Sequence, residues 1–369
     1  MKKPHICLVS LGVFPDKQDG EARVIRAYYD YLKKKKYNVK LITGKWNIDL
    51  EDKNIIQFSL IRKRFFWAPF FTLKTIKFLK FNEFDIIHGN GPKGTIPILL
   101  SNKKKFISTI HDLGPFETEF SKIPLVRIII KKICQKAKFI TTVSNFVKKE
   151  FEYFLPEIKI NKIYNLYNGI DAKFKPYPEE AIKLKKQLKI NGPVLLYIGR
   201  ITSYKGVEEI ITAYNIAKRT IPDLNLVIGG KPDFIMEKKY MEWKSEYSDI
   251  YFLGFISEKK MPYYYSMGDI FITYSYASEG FGLTSIEAIA CGTPVICSSI
   301  PVYKEVLQDN AIFVPPKSPN ALANEIKNLL ENEAYRQNLI MKAQKFIKKY
   351  TWIEVGKRLE ELYDKYLSE

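Results

Sequence analysis

V-L-L-Y-I-G-R-I-T-S-Y-K-G (194–206) is an apolar run that ends on a glycine and then turns cationic at Arg200 and Lys205. A run this short, bounded by turn residues, reads as a buried strand. Similar runs follow at Leu226–Gly229, Ile250–Leu253, Ile270–Thr273, Val295–Cys297 and Ile312–Val314. An earlier series lies at Ile6–Val9, Val39–Thr43, Ile86–His88, Phe106–Ile110 and Phe139–Val143, with basic, helix-period segments between. Strands alternating with helices predict a parallel sheet covered by helices. Two series predict two sheets.

Between the series, N-G-I-D-A-K-F-K-P-Y-P-E-E (168–180) carries Pro176 and Pro178 and marks a connector. The expected organisation is a first α/β domain over 1–175 and a second over 176–350, of similar size and facing each other across a cleft. The last helix, about 351–369, is expected to pack back on the first domain. At 369 residues the chain is too long for one ordinary core, which agrees with two. A hydrophobic content of 46% with 14% aromatics excludes disorder.

No apolar run reaches membrane-spanning length. The opening M-K-K-P-H-I-C-L-V-S-L-G-V-F-P lacks a small-residue cleavage site and reads as a buried first strand. Four cysteines without C-x-x-C spacing and three histidines argue against zinc, and a reducing cytoplasm is the simplest setting. The net charge of +19 is lopsided. Residues 1–175 hold 34 Lys/Arg against 16 Asp/Glu, whereas residues 176–369 hold 25 against 24. A partner rich in negative charge is expected to meet the first half only.

Ligands of open α/β sheets bind beyond the carboxyl ends of the strands. Arg200 and Lys205 fall there, and two fixed cations can stabilise the charge that develops on a departing nucleotide diphosphate. An R-x4-K spacing also arises by chance, with Arg200 capping a strand and Lys205 solvated. The second informative segment is S-E-G-F-G-L-T-S-I-E-A-I-A-C-G-T-P-V-I (278–296), with Glu279 and Glu287 eight residues apart. Gly280 and Gly282 let backbone approach a ligand, and the helix start that follows favours phosphate. Glu287 has two readings: a capping box with Thr284, or an acceptor for ribose hydroxyls. Glu279, at the loop mouth, suits sugar hydroxyls or positive charge at an anomeric carbon.

On these segments, together with T-I-H-D-L-G-P (109–115), V-S-N-F-V-K-K (143–149) and N-L-Y-N-G-I-D (165–171), the chain resembles a retaining glycosyltransferase of the glycosyl transferases group 1 family. That family implies the GT-B fold, two Rossmann-like parallel-sheet domains facing each other across a cleft. It implies that Arg200 and Lys205 hold the donor pyrophosphate and that Glu287 holds the ribose. Glu279, with the backbone of Phe281, Gly282 and Leu283, would contact the donor sugar and phosphate. His111 matches the histidine that reaches the transferred sugar, although a buried structural role is the other reading. Glu279 and His111 are thus the catalytic candidates.

Two departures stand out. F-P-D-K-Q-D-G-E-A-R-V (14–24) has only Gly20, a donor-binding candidate, followed by Glu21, where the family usually has adjacent glycines that approach the phosphates or the acceptor. S-S-I-P-V-Y-K-E-V (298–306) lacks the usual glycine pair. The implied activity is hexosyl transfer from a nucleotide-sugar donor to a glycan or lipid-linked acceptor, with no cofactor and no metal. R-K-R-F-F-W-A-P-F-F-T-L-K-T-I-K-F-L-K-F (62–81) mixes six cations with seven aromatics. Such a segment suits an anionic membrane surface, placing the protein peripherally on the inner membrane face. The other reading is a helix whose aromatic side packs on the first sheet. Alternatives from other classes are a nucleotide-sugar 2-epimerase of the same fold and a basic nucleic-acid-binding protein. No nucleic-acid motif is visible, so nucleic acid is not an expected partner.

Overall fold

The computed structural model describes residues 3–61, 67–103, 105–117, 124–277 and 279–369. Residues 62–66 of the basic aromatic segment and Ser278 of the 278–296 segment lie outside them. The chain divides into two compact units, Met1–Gly169 with Tyr350–Glu369, and Ile170–Lys349.

The first unit holds β1 (His5–Val9), β2 (Asn38–Lys45), β3 (Ile55–Ser59), β4 (Ile86–Asn90), β5 (Ile107–Ile110), β6 (Phe139–Thr142) and β7 (Ile163–Asn165). They form one parallel sheet in the order β3-β2-β1-β4-β5-β6-β7. Helix Gly20–Lys34 is capped by Asp19, whose carboxylate accepts from the Ala22 N–H at 2.8 Å. Its inner stripe of Val24, Ile25, Tyr28, Tyr29 and Leu32 recurs at helical spacing and buries against the sheet. The terminal helix Trp352–Ser368 joins this core through Val355, Leu359, Leu362, Tyr363 and Tyr366. Burying each such side chain contributes about 1.5–3 kcal/mol. Gly356 admits the Tyr31 ring, which would lie 2.2 Å from any added Cβ. Glu360 accepts from both the Tyr31 and Tyr37 hydroxyls.

The second unit holds β8 (Val194–Ile198), β9 (Asn225–Gly229), β10 (Ile250–Gly254), β11 (Ile270–Thr273), β12 (Val295–Ser298) and β13 (Ile312–Val314). The order is β10-β9-β8-β11-β12-β13, again parallel. The strand order reverses between β1 and β4 in one sheet and between β8 and β11 in the other. A crevice opens at such a point because neighbouring connections leave in opposite directions.

Strands β3 and β7 go beyond the sequence reading. Each sits at a sheet edge with half-exposed positions, so its apolar signal is diluted. In helix Trp67–Phe81, Phe71, Thr75 and Leu79 are buried, while Leu73, Lys77, Lys80 and Phe81 are exposed. The helix thus packs inward by one stripe, as the second reading expects, and its outer face mixes basic and apolar residues. Among the described residues no helix is long and apolar enough to cross a membrane.

Candidate functional site

The loop Gly199–Lys205 leaves β8 at the reversal point of the second sheet. Backbone ties fix it: Gly199 N–H donates to the Gly229 carbonyl, and Ile201 N–H to Lys231, each at 3.0 Å. Gly206 ends the loop at φ 65°, where a Cβ would meet the Tyr274 carbonyl at 2.4 Å. Only glycine fits both constraints. Arg200 is exposed, with Nη2 3.4 Å from the Tyr204 hydroxyl. Lys205 is mostly buried and donates to Glu279 Oε2 at 2.5 Å. The reading of Lys205 as a merely solvated cation does not survive this contact.

Glu279 arrives from the loop after β11, the strand beside β8. Its Oε2 also accepts from the Tyr303 hydroxyl at 3.2 Å, and its Oε1 from the Gly282 N–H at 3.1 Å. Glu279 at the loop mouth is therefore paired, and it ties off the helix start. Burial alone would raise its carboxyl pKa. The Lys205 charge and hydrogen bond, with Tyr303 and Gly282, override burial and hold it below the ordinary carboxylate value.

The helix that follows spans Leu283–Ala290 and is capped by Gly282 at φ 83°. A Cβ there would strike the Tyr303 ring at 2.6 Å. Because capping falls to Gly282, the capping box expected of Thr284 and Glu287 does not form. Glu287 lies inside the helix, 2% exposed, and accepts from the Tyr265 hydroxyl at 3.0 Å. Phe281 is buried beside this turn, and Leu283 opens the helix half-buried. The second unit thus brings together Arg200, Lys205, Glu279, Phe281, Gly282, Leu283 and Glu287.

Gly20 and His111 belong to the first unit. Gly20 is the first residue of its helix, beside the Asp19 cap. His111 follows β5 and is half-buried, with Nε2 2.8 Å from Asn90 Oδ1. Asn90, at the end of β4, donates to Ser10 Oγ at 3.2 Å and to the Glu21 carbonyl at 3.0 Å. His111 therefore stands at the first sheet's own reversal point, held by one neutral amide. The fully buried structural histidine is His88 instead, bridged by Tyr363 and Thr109.

Tyr303 and Tyr265 were missed from sequence. Nothing in spacing flags either one, since each meets its carboxylate only through the fold. Among the described residues no group of three or more His, Cys, Asp or Glu could hold a metal ion. All four cysteines are buried and unbridged.

Comparison with known proteins adds the following. Residues 179–346 match the model of glycosyl transferases group 1, and residues 19–174 match that of Glycosyltransferase Family 4. An uncharacterized glycosyltransferase of Methanocaldococcus jannaschii, MJ1607, is 29% identical over 61% of this chain, a stretch covering 59% of that relative's length. The O-antigen chain mannosyltransferase B of Escherichia coli is 27% identical over 71% of this chain and 70% of its own. The crystal structure of Anabaena Alr3699/HepE in complex with UDP and glucose superposes with a TM-score of 0.81 at 19% identity, over 98% of this chain and 100% of that one. Between them the two family models take in most of the sequence, and the chain belongs to the glycosyl transferases group 1 family with the GT-B fold.

Proposed function

We propose that this chain is a nucleotide-sugar-dependent hexosyltransferase that retains anomeric configuration and acts on a glycan or lipid-linked acceptor. The observation that carries the reading is the meeting of Arg200, Lys205, Glu279 and the Gly282 helix start at one strand-order reversal. Two cations and a helix start suit a diphosphate, and a carboxylate beside them suits a sugar. In this reading the donor diphosphate draws Lys205 away from Glu279. The freed carboxylate then faces the sugar as positive charge grows at its anomeric carbon. Arg200 and Lys205 stabilise the departing nucleotide, Glu287 receives the ribose hydroxyls, and the backbone of Phe281, Gly282 and Leu283 lines the phosphate. His111 is the proposed contact to the transferred sugar from the first unit, and the donor phosphate takes the acceptor proton. Neither a cofactor nor a metal enters this scheme.

The O-antigen mannosyltransferase relative supports a glycan acceptor. A peripheral place on the inner membrane face is proposed from the charge surplus of residues 1–175 and from the outer face of helix Trp67–Phe81, where Leu73 and Phe81 stand among Lys77 and Lys80. Such a face inserts shallowly into headgroups while its cations meet anionic lipid.

The test is a panel of UDP-, GDP- and ADP-sugars scored by thermal shift and by nucleotide release with and without glycan acceptors. One donor should stabilise the protein and turn over. Isomerised sugar without acceptor would transfer the assignment to a 2-epimerase, and no response to any donor would remove it.

A further inference from the structure

The geometry points to Tyr303 as a positioning residue that holds Glu279 once Lys205 is engaged by a diphosphate. The inference rests on the donor-site reading above. Lys205, Tyr303 and the Gly282 N–H all grip Glu279. A diphosphate competes for Lys205, since phosphate oxygens offer it charge-assisted hydrogen bonds of the same strength. When Lys205 turns, Glu279 Oε2 loses its cation and keeps the phenol.

Tyr303 is built for that task. It is fully buried, on the helix Pro301–Leu307 that follows β12. A phenol has one proton and must choose among its neighbours. The Thr273 hydroxyl lies 2.7 Å from the Tyr303 oxygen and can donate to it, which leaves the phenolic proton for Glu279 at 3.2 Å. Ser275 Oγ, at 3.3 Å, is a competing acceptor for that proton. The ring itself closes over Gly282, so the same side chain fixes the turn whose N–H holds Glu279 Oε1. Burial, followed by the Glu279 charge, raises the Tyr303 pKa well above its ordinary value, so the phenol stays a donor.

The test uses Tyr303→Phe, which keeps the ring over Gly282 and removes only the hydroxyl, together with Thr273→Val, which removes the group that orients the phenol. Both are assayed for kcat, donor KM and pH profile with the nucleotide sugar that the wild type turns over. Tyr303→Phe should lower kcat about tenfold with donor KM within about twofold. The acid limb of its profile should move to higher pH, because an ionised Glu279 has lost a donor. Thr273→Val should move the limb the same way by less. A purely structural Tyr303 would alter melting and leave the limb where it was, and that result overturns the inference. Wild-type kcat and profile in Tyr303→Phe overturn it equally. Absence of wild-type turnover with every donor would instead break the donor-site reading and take this inference with it.

Discussion

The two strand-order reversals share a design and differ in chemistry. At β8/β11, Lys205 and Glu279 form a tight ion pair and Arg200 stays exposed beside it. At β1/β4, a hydrogen-bonded chain runs from His111 through Asn90 to Ser10, and the nearby Asp19 is paired with Lys17 at 2.7 Å. Glu21 closes on Gly91, where a Cβ would sit 3.1 Å from its carboxylate. One reversal carries two cations, of a kind that suits a diphosphate; the other carries an imidazole and carboxylates, of a kind that suits hydroxyl groups. Topology supplies the place, and side chains decide what enters it.

The largest expected effect breaks the cationic side. Lys205→Ala should lower transfer a hundredfold or more, on the order of losing a preorganised charge donor. It should also lower stability by about 3 kcal/mol near neutral pH, because Glu279 stays buried without its cation. The sign with pH follows from the depressed Glu279 pKa. That stabilisation is complete above the unfolded value of 4.5 and is lost as pH falls through the folded value. Wild type and variant should therefore converge on acidification in urea titrations; a gap that widens below pH 4.5 would contradict the pairing.

On the other side, His111→Ala should slow transfer about a hundredfold with melting almost unchanged, since the ring makes one hydrogen bond to Asn90. Equal losses from His111→Ala in kcat and in melting would reassign it to structure. Reversing Lys77 and Lys80 to Glu sharpens the contrast in charge between the halves. With about 1 kcal/mol per cation, binding to anionic vesicles should fall at least tenfold, and high salt should abolish it in the wild type. Equal flotation of both proteins would discard the membrane surface. Glu287→Gln should raise donor KM about tenfold and leave kcat nearly intact, as uniform binding requires.

A last effect separates the units by acid sensitivity. Burial, with the His111 charge adding to it, pulls the His88 pKa down to about 3. Its neutral form is favoured in the folded state, so stability is complete above 6.5 and lost as pH falls toward 3. Hydrogen exchange in β1–β7 should loosen by about 1 kcal/mol per pH unit below that point, before β8–β13 respond. His88→Gln should flatten the dependence.

Both sheets were legible because their central strands are fully buried and read as unbroken apolar runs, as in Val194–Ile198. The edge strands Ile55–Ser59 and Ile163–Asn165 were not, since most of their positions are only half-buried and polar residues mix into the run. Segment order and family resemblance single out Arg200, Lys205, Glu279 and Glu287 as candidates. Their partners were not legible. The Lys205–Glu279 and Tyr303–Glu279 contacts join positions far apart in sequence, and only sheet order brings them together. Thr284 to Glu287 misled for a local reason: a left-handed Gly282 starts the helix two residues early, so the box has no end to cap.

Calorimetric titration of UDP, GDP and ADP into the wild type and into an Arg200→Ala/Lys205→Ala variant tests the central claim most directly. At least one nucleotide should bind the wild type and bind the double variant about a hundredfold more weakly. Equal affinity for the two proteins, or binding by neither, would contradict a diphosphate site at the β8/β11 reversal.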